Sequence, residues 1–117
     1  MVKGIGVDIV NTLRFEKILS RTPKLKFRLF TDREISSSYS IWNLAGKFAG
    51  KEAVLKSVGL GLSGGISWKD IEILGDSQSP PQVFLSGRAK EILGNYKFFL
   101  TISHEQSLVI AVCLTLY

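Results

Sequence analysis

The last strand of this chain constrains its fold more than any other segment, because both of its faces are apolar. Residues Leu108 to Leu116 read as a strand, and successive side chains of a strand point to opposite faces. One face carries Leu108, Ile110, Val112 and Leu114, and the other carries Val109, Ala111 and Cys113. In a chain of 117 residues, a strand that is buried on both sides predicts a subunit interface.

The composition is typical of one folded domain that binds an anionic partner. Hydrophobic residues make up 45% of the sequence and charged residues 21%, which is ordinary for a globular protein. At this length we expect a single domain over residues 1–117. The net charge of +5 is compatible with nucleic acid, a membrane surface, an acidic protein or a phosphorylated small molecule, and composition does not choose among them.

The sequence has no signal for export or membrane insertion. No apolar run approaches the roughly 18 residues that cross a bilayer, and Asp8 interrupts the apolar start of the chain. The single cysteine, Cys113, excludes an intrachain disulfide and suits a reducing compartment. We expect a soluble intracellular protein, in a cytoplasm or a mitochondrial matrix, with no membrane partner.

Residue spacing divides the chain into strands and helices. The first strand, Val2 to Val10, places Ile5, Val7 and Ile9 on one face and Gly4, Gly6 and Asp8 on the other. Helical spacing or a capping pattern predicts helices over Leu13 to Ser20, Lys24 to Phe30, Thr31 to Tyr39, Trp42 to Val58 and Arg88 to Leu93. Further strands are predicted over Asp70 to Leu74, Gln82 to Leu85 and Phe98 to Ser103, with a glycine loop over Gly59 to Gly65 and a turn over Gly75 to Pro81.

The longest predicted helix carries a carboxylate and an ammonium one turn apart. Glu52 and Lys56 are four residues apart and therefore share a face. Such a pair can hold a divalent cation on the carboxylate while the ammonium neutralises a phosphate. For an arbitrary helix, a surface ion pair that contributes little to stability is the commoner explanation.

Asp8 is a second candidate metal ligand. A carboxylate in a central strand must be solvated, paired or coordinated. Two carboxylates from Asp8 and Glu52 would suit Mg²⁺, which keeps several waters and takes one or two carboxylates together with substrate phosphates. The alternative is a simple pair between Asp8 and a lysine.

Two further groups of residues carry charge or a titratable ring. His104, the single histidine, follows Ser103 at the end of a strand; a structural hydrogen bond is its commonest role, and a phosphate or pantetheine contact is the minority one. Lys47, Lys51 and Lys56 give the long helix a basic flank. A second basic zone could bind nucleic acid or an acidic protein surface, and it comprises Arg14, Arg21, Lys24, Lys26 and Arg28.

Several of these segments match one known family in order along nearly the whole chain. They are Gly4 to Val10, Arg14-Phe15, Phe30-Thr31 with Glu34, Leu44 to Ala53 with Lys56, and Ile102-Ser103-His104. On these motifs the sequence resembles the holo-acyl-carrier-protein synthases, the small trimeric branch of the 4′-phosphopantetheinyl transferases. The resemblance implies an α+β fold, in which an antiparallel-rich sheet packs against the long helix, and a homotrimer with active sites between subunits.

The resemblance also implies a reaction and roles for individual residues. The expected activity is Mg²⁺-dependent transfer of 4′-phosphopantetheine from coenzyme A to a serine of an apo acyl carrier protein. The sequence does not choose among a carrier of fatty-acid synthesis, of polyketide assembly or of an organelle. By motif, Asp8 and Glu52 are the metal ligands and Lys56 contacts the diphosphate, so these three form the catalytic set. Coenzyme A contacts are expected from Lys47, Lys51, Lys56, Ser103 and His104, and carrier-protein contacts from Arg14, Arg21 and Arg28.

Two positions depart from the family pattern. Lys47 stands where arginine is common, and lysine lacks the planar fork that binds phosphate through two bonds. Gly50 stands where alanine is common, at a helix-propensity cost of about 1 kcal/mol.

The competing hypotheses are a basic module that binds nucleic acid and a carrier-binding subunit without catalysis. Neither is favoured, because the basic residues cluster on helices and no expected site residue is missing, so we expect no nucleic-acid partner.

Overall fold

The computed structural model describes residues 1–62, 64–75 and 79–117, and it contains five strands and five α-helices in these ranges. The strands are β1 (Val2–Asn11), β2 (Ile71–Leu74), β3 (Gln82–Leu85), β4 (Lys97–Glu105) and β5 (Leu108–Leu116). The helices are α1 (Thr12–Arg21), α2 (Leu25–Leu29), α3 (Asp32–Ser36), α4 (Ile41–Ser57) and α5 (Gly87–Leu93), with a 3₁₀ turn at Trp68–Asp70.

The sheets are antiparallel, and β5 is central in the larger one. That sheet has the strand order β1-β5-β4, with Gly6 of β1 and Leu100 of β4 both registered on Cys113. The smaller sheet pairs β2 with β3. Together with α4 on one face of the larger sheet, this is the α+β architecture that was expected.

Small residues allow α4 to lie close against the sheet. A Cβ atom added at Gly6 would stand 2.1 Å from the carbonyl oxygen of Ala53, so the strand and the helix touch through their backbones. A Cβ atom at Gly50 would stand 3.1 Å from Cδ2 of Leu100. The absence of a side chain at position 50 therefore has a packing reason in this chain.

The apolar core lies between α4 and the sheets. Its fully buried members include Phe30, Val54, Ile71 and Ala111. Burial of such side chains removes apolar surface from water, at roughly 25 cal/mol per Å². The core therefore fixes α4 against both sheets.

The opposite face of the larger sheet stays apolar and exposed. Its exposed large side chains come from all three strands and are Val2, Ile5, Val7, Ile9, Phe99, Leu108, Ile110 and Leu114. We call this set the outer face. The predicted double apolar character of β5 is confirmed, since α4 covers Val109, Ala111 and Cys113 while Leu108, Ile110 and Leu114 remain open.

Helix boundaries are the main differences from the sequence predictions. Helix α1 begins one residue early, at Thr12, because the side chain of Asn11 accepts a hydrogen bond from the backbone N–H of Arg14 at 3.0 Å. Helix α3 ends at Ser36 rather than near Tyr39. Asp70 belongs to the 3₁₀ turn rather than to β2. The predicted loop Gly59 to Gly65 and turn Gly75 to Pro81 each include residues outside the described ranges.

Among the described residues, no helix has the length and apolar character that a bilayer crossing requires.

Candidate active site

Strand β1 and helix α4 bring three of the predicted site residues together. Asp8 lies on the face of β1 that packs against α4, and the ammonium of Lys56 donates to Oδ1 of Asp8 at 3.0 Å and to the carbonyl of Val7 at 3.1 Å. Lys56 is half exposed, whereas the side chain of Asp8 is mostly covered. The lysine thus spans from the helix to the strand, and it forms an ion pair with Asp8 rather than with Glu52.

Glu52 lies close enough to Asp8 for the two charges to interact. Burial raises the pKa of Glu52 above its usual value, the negative charge of Asp8 raises it further, and Lys56 acts in the opposite direction. Two carboxylates and one ammonium therefore occupy one partly covered position between β1 and α4. Such a site attracts a cation, because added positive charge relieves the repulsion between the carboxylates.

The donor set of this position fits Mg²⁺. Asp8 and Glu52 offer carboxylate oxygens only, and Mg²⁺ is usually held by one or two carboxylates, with waters and phosphate oxygens as its remaining ligands. Within residues 1–62, 64–75 and 79–117, no group of three or more acidic, histidine or cysteine side chains could hold a metal by itself. The pair therefore suits a cation that arrives with a phosphorylated substrate.

Lys47 and His104 lie on a different part of the molecule, the wall of an open cleft of about 710 Å³. Lys47 and Lys56 are nine positions apart, which places the two side chains on opposite sides of α4, about 180° apart. The cleft is lined by residues that include Trp42, Lys47, Ile102 and His104. Asp8, Glu52 and Lys56 thus form one group, and Lys47 and His104 form a second, separate group in the single chain.

Lys47 is buried, and its ammonium makes three hydrogen bonds. It donates to the carbonyl of Glu34 at 2.9 Å and to the hydroxyls of Ser37 and Ser38, both at 2.8 Å. Burial lowers the pKa of Lys47, and the charge of Glu34 acts against this. The ammonium closes the carboxyl end of α3, where carbonyls lack helical partners.

Lys51 is not at the surface, contrary to the predicted basic flank. Its ammonium is completely buried and donates to Oε1 of Glu34 at 2.8 Å and to the carbonyls of Trp68 at 2.9 Å and Ile71 at 2.5 Å. A lysine ammonium has three N–H groups, so all of them are used. Lys51 is a core residue that links α4, α3 and β2, and we withdraw it as a coenzyme A contact.

Glu34 is the residue whose importance the sequence did not reveal. The capping pattern identified it as a helix cap, and it does accept a hydrogen bond from the N–H of Thr31 at 2.9 Å. The same carboxylate also accepts from the N–H of Ile73 at 2.8 Å and from Lys51. The capping spacing and the family motif both included Glu34, but neither pointed to Lys51 or Ile73, which are 17 and 39 residues away.

The remaining predicted residues lie apart from both groups. Ser103 is exposed on β4 and, by strand alternation, points away from the face that carries His104. Arg14 and Arg21 of α1 and Arg28 of α2 are exposed. The structure thus places these arginines on one helical region, where an acidic partner can reach them.

Comparison with known proteins identifies the family. Residues 4–113 match the model of the 4′-phosphopantetheinyl transferase superfamily. The chain is 40% identical to the holo-[acyl-carrier-protein] synthase of Geotalea daltonii, over 95% of each protein. Among solved structures, the holo-[acyl-carrier-protein] synthase of Neisseria meningitidis has a TM-score of 0.88 at 29% identity and full coverage of both chains.

A second solved structure contains the co-substrate. The holo-(acyl-carrier-protein) synthase of Bacillus anthracis, in complex with CoA (3′,5′-ADP), has a TM-score of 0.81 at 30% identity and covers 98% of this chain and 96% of its own. Family model, sequence identity and structural likeness all extend over nearly the whole chain. The chain therefore belongs to the holo-[acyl-carrier-protein] synthases of the 4′-phosphopantetheinyl transferase superfamily.

Proposed function

We propose that this chain transfers 4′-phosphopantetheine from coenzyme A to a serine of an apo acyl carrier protein, at a site formed by Asp8, Glu52 and Lys56. The observation that carries the assignment of the site is the contact of Lys56 with Asp8 at 3.0 Å beside Glu52. This site combines two carboxylates that suit Mg²⁺ with an ammonium that suits a diphosphate.

The reaction is a phosphoryl transfer with balanced bonds. The serine oxygen attacks the phosphorus that carries the pantetheine arm, and the bond to the second phosphate breaks. Adenosine 3′,5′-bisphosphate leaves with the electron pair of that bond. Lys56 stabilises the charge that develops on the leaving phosphate, and this is the main catalytic task in phosphoryl transfer.

Glu52 is suited to accept the serine proton. In the metal-free chain, burial and the charge of Asp8 raise its pKa, and a bound cation would oppose this shift, so the assignment rests on the place of the carboxylate beside Asp8 and Lys56. Asp8 and Glu52 are also the residues that would hold Mg²⁺, and when bound it would withdraw charge from the diphosphate oxygens.

We assign the adenosine half of coenzyme A to the cleft lined by Lys47 and His104. The three N–H groups of Lys47 are already used, so it contributes positive charge to this cleft rather than a free donor. The group formed by Asp8, Glu52 and Lys56 lies on one side of α4, and the cleft lies on the other. We therefore propose that a homotrimer, formed through the outer face, combines one group from each of two neighbouring subunits.

The carrier protein is proposed to dock on Arg14, Arg21 and Arg28. These exposed cations on α1 and α2 complement an acidic partner, and such contacts act mainly on association. Charge reversal by Arg14→Glu should raise KM for the carrier without changing KM for coenzyme A. The same reversal at Lys90, on α5, is the matched control.

The direct test is a transfer assay. The protein is incubated with coenzyme A, Mg²⁺ and an apo carrier, and the carrier is weighed by mass spectrometry. We expect addition of one phosphopantetheine group, which disappears when a chelator is added or when the acceptor serine is replaced by alanine. An unmodified carrier in every one of several carrier preparations would contradict the proposed function.

A further inference from the structure

Three buried side chains with hydroxyl or thiol groups lie beneath the last turn of α4. Ser57 of the helix is 4% exposed, and Cys113 and Thr115 of β5 are completely buried. The hydroxyl oxygens of Ser57 and Thr115 are 2.6 Å apart, and the sulfur of Cys113 lies 3.6 Å from Oγ1 of Thr115. These groups form a polar contact within the apolar packing of α4 on the larger sheet, and no step of the proposed reaction uses them.

The direction of each hydrogen bond in this cluster follows from what each group can donate. Oγ of Ser57 donates to the carbonyl of Val54 at 2.7 Å, because a carbonyl oxygen can only accept. A hydroxyl has one O–H group, so the hydroxyl of Thr115 must be the donor to Ser57. The thiol of Cys113 in turn donates to Thr115. Thr115 is therefore the donor that joins β5 to the end of α4.

The carbonyl of Val54 lies where the backbone hydrogen bonds of α4 stop. The N–H of Val58, which would continue the helical pattern, donates to the carbonyl of Leu55 at 3.3 Å. The side chain of Ser57 supplies the donor to Val54 instead. Gly59 follows with a φ of 75°, the left-handed conformation that commonly terminates a helix. Ser57 thus takes part both in the helix end and in the contact with β5.

The surface of β1 beneath this turn is made of glycine. A Cβ atom at Gly4 would stand 2.1 Å from the carbonyl oxygen of Ser57. One at Gly6 would stand 3.0 Å from Cβ of Lys56. Glycines permit this close approach, but they present no side chain that could interlock with the helix. In the part of the chain that the structure describes, the polar side-chain contact between this turn and the larger sheet, besides those of Lys56, is the pair of Ser57 and Thr115, and Thr115 is in register with Gly4.

We propose that Ser57 and Thr115 are positioning residues for the transfer reaction, because their hydroxyl pair holds the last turn of α4 where Lys56 reaches Asp8. The inference rests on the proposed function and adds to it two residues outside the motifs that identified the site. Lys56 directly precedes Ser57, and its ammonium must span from the helix to Oδ1 of Asp8 at 3.0 Å. A displacement of about 1 Å in a catalytic group can slow a reaction by roughly 100-fold. The hydroxyl pair acts through Lys56 and does not contact the substrate.

Thr115→Val tests the proposal, since valine keeps the shape of threonine and removes its hydroxyl. Ser57 keeps its bond to Val54 in this variant, so we expect the protein to fold. The kcat for transfer should fall roughly tenfold, with KM for the carrier unchanged. Thr115→Ser retains the hydroxyl and should restore kcat to within about twofold of wild type.

Two further variants separate positioning from stability. Ser57→Ala breaks the same bond from the helix side and should lower kcat by a similar factor, and it carries the test if Thr115→Val does not fold. Cys113→Ala leaves the hydroxyl pair in place but opens a cavity beside it, so it should lower stability and keep kcat within about twofold of wild type. Urea denaturation ranks the stability of the variants. A kcat that falls in step with stability in all of them, Cys113→Ala included, would contradict the proposal.

A crystal structure of metal-free Thr115→Val shows whether the effect passes through Lys56. We expect the ammonium of Lys56 to lie farther from Oδ1 of Asp8 than about 4 Å, the limit of an ion pair. A lower kcat in a variant whose Lys56 still contacts Asp8 would overturn the proposal, because the loss would then have another cause.

The kinetic results also distinguish failure of this proposal from failure of the proposed function. If wild type shows no transfer, the proposed function is wrong and the positioning proposal falls with it. If wild type transfers the group and Thr115→Val matches its kcat, the positioning proposal alone is overturned.

Discussion

At the scale of single residues, the buried ion pair between Lys51 and Glu34 has the largest predicted effect on stability. We expect Lys51→Met to destabilise the fold by about 3–5 kcal/mol, because the change leaves the Glu34 carboxylate buried without its cation. Urea denaturation followed by circular dichroism measures the effect. Lys90→Met, on the exposed side of α5, is the control and should change stability by no more than about 0.5 kcal/mol.

Glu52 is predicted to oppose stability and support activity. Its pKa is raised in the folded chain, so ionising Glu52 costs more in the folded than in the unfolded state. The folded chain is free of this cost below about pH 4.5, the usual pKa, and loses stability as the pH rises through the raised pKa. In metal-free protein, Glu52→Gln should remove this loss and make the variant relatively more stable at neutral pH. Turnover with Mg²⁺ should fall roughly 100-fold or more.

The measurement for Glu52 combines two experiments on one variant. Unfolding free energies between pH 4 and 8, in the presence of a chelator, compare wild type with Glu52→Gln. Glu91→Gln, an exposed carboxamide substitution on α5, controls for the change in net charge. Parallel pH curves for wild type and Glu52→Gln, or full turnover in the variant, would remove Glu52 from the site.

At the scale of elements, the contact between β1 and α4 controls the site. Gly6→Ala places a methyl group 2.1 Å from the carbonyl oxygen of Ala53, so the strand and helix must separate. We expect a destabilisation of about 3 kcal/mol and a strong loss of transfer activity, since Asp8 moves away from Glu52 and Lys56. Thermal denaturation and the transfer assay measure the two effects.

Gly61→Ala is the matched control for Gly6→Ala. No atom lies within 4 Å of a Cβ at position 61, among the residues surrounding it in the described structure. We expect stability within about 0.5 kcal/mol of wild type and unchanged transfer. Similar losses in both glycine variants would contradict the view that close approach of β1 and α4 is the cause.

The elements themselves were largely predictable, because they depend on local spacing. Alternation identified β1 and β5, the cap at Thr31 agrees with the predicted helix start, and the cap at Ser40 begins α4 one residue before the predicted Trp42. The locations of Lys47 and Lys51 were not predictable in the same way. Helical spacing places both on one flank of α4, but only the fold brings α3 and β2 over that flank.

The same limit applies to the site. The family motifs paired Asp8 with Glu52, and the four-residue spacing predicted that Lys56 shares the helix face of Glu52. The actual bond of Lys56 to Asp8 depends on how far α4 lies from β1, a distance that no local pattern contains. The bond of Trp42 to Gln106 was not predictable for a related reason, since 64 positions separate the two residues.

At the scale of the whole molecule, the outer face predicts the assembly. Exposed apolar side chains from three strands form one continuous surface, which is unusual for a monomer. Ile110→Asp, on central strand β5, should prevent trimer formation and remove most of the transfer activity, because a buried carboxylate without a partner is costly. Sedimentation velocity measures the oligomeric state.

Ile92→Asp provides the comparison, since Ile92 is an equally exposed isoleucine on α5, outside the larger sheet. It should leave the oligomeric state unchanged. A wild-type protein that sediments as a stable and fully active monomer would exclude the trimer, and with it the proposal that neighbouring subunits complete each site.

The backbone contact between Gly6 and Ala53 has a consequence for how this protein tolerates mutation. Asp8 is two residues from one side of the contact, and Glu52 is adjacent to the other. Main-chain atoms are the same in every amino acid, so substitutions elsewhere in the core can loosen the molecule without resetting the separation of the two carboxylates. Substitutions that accumulate in the core would therefore lower the abundance of this protein before they altered the chemistry of its site.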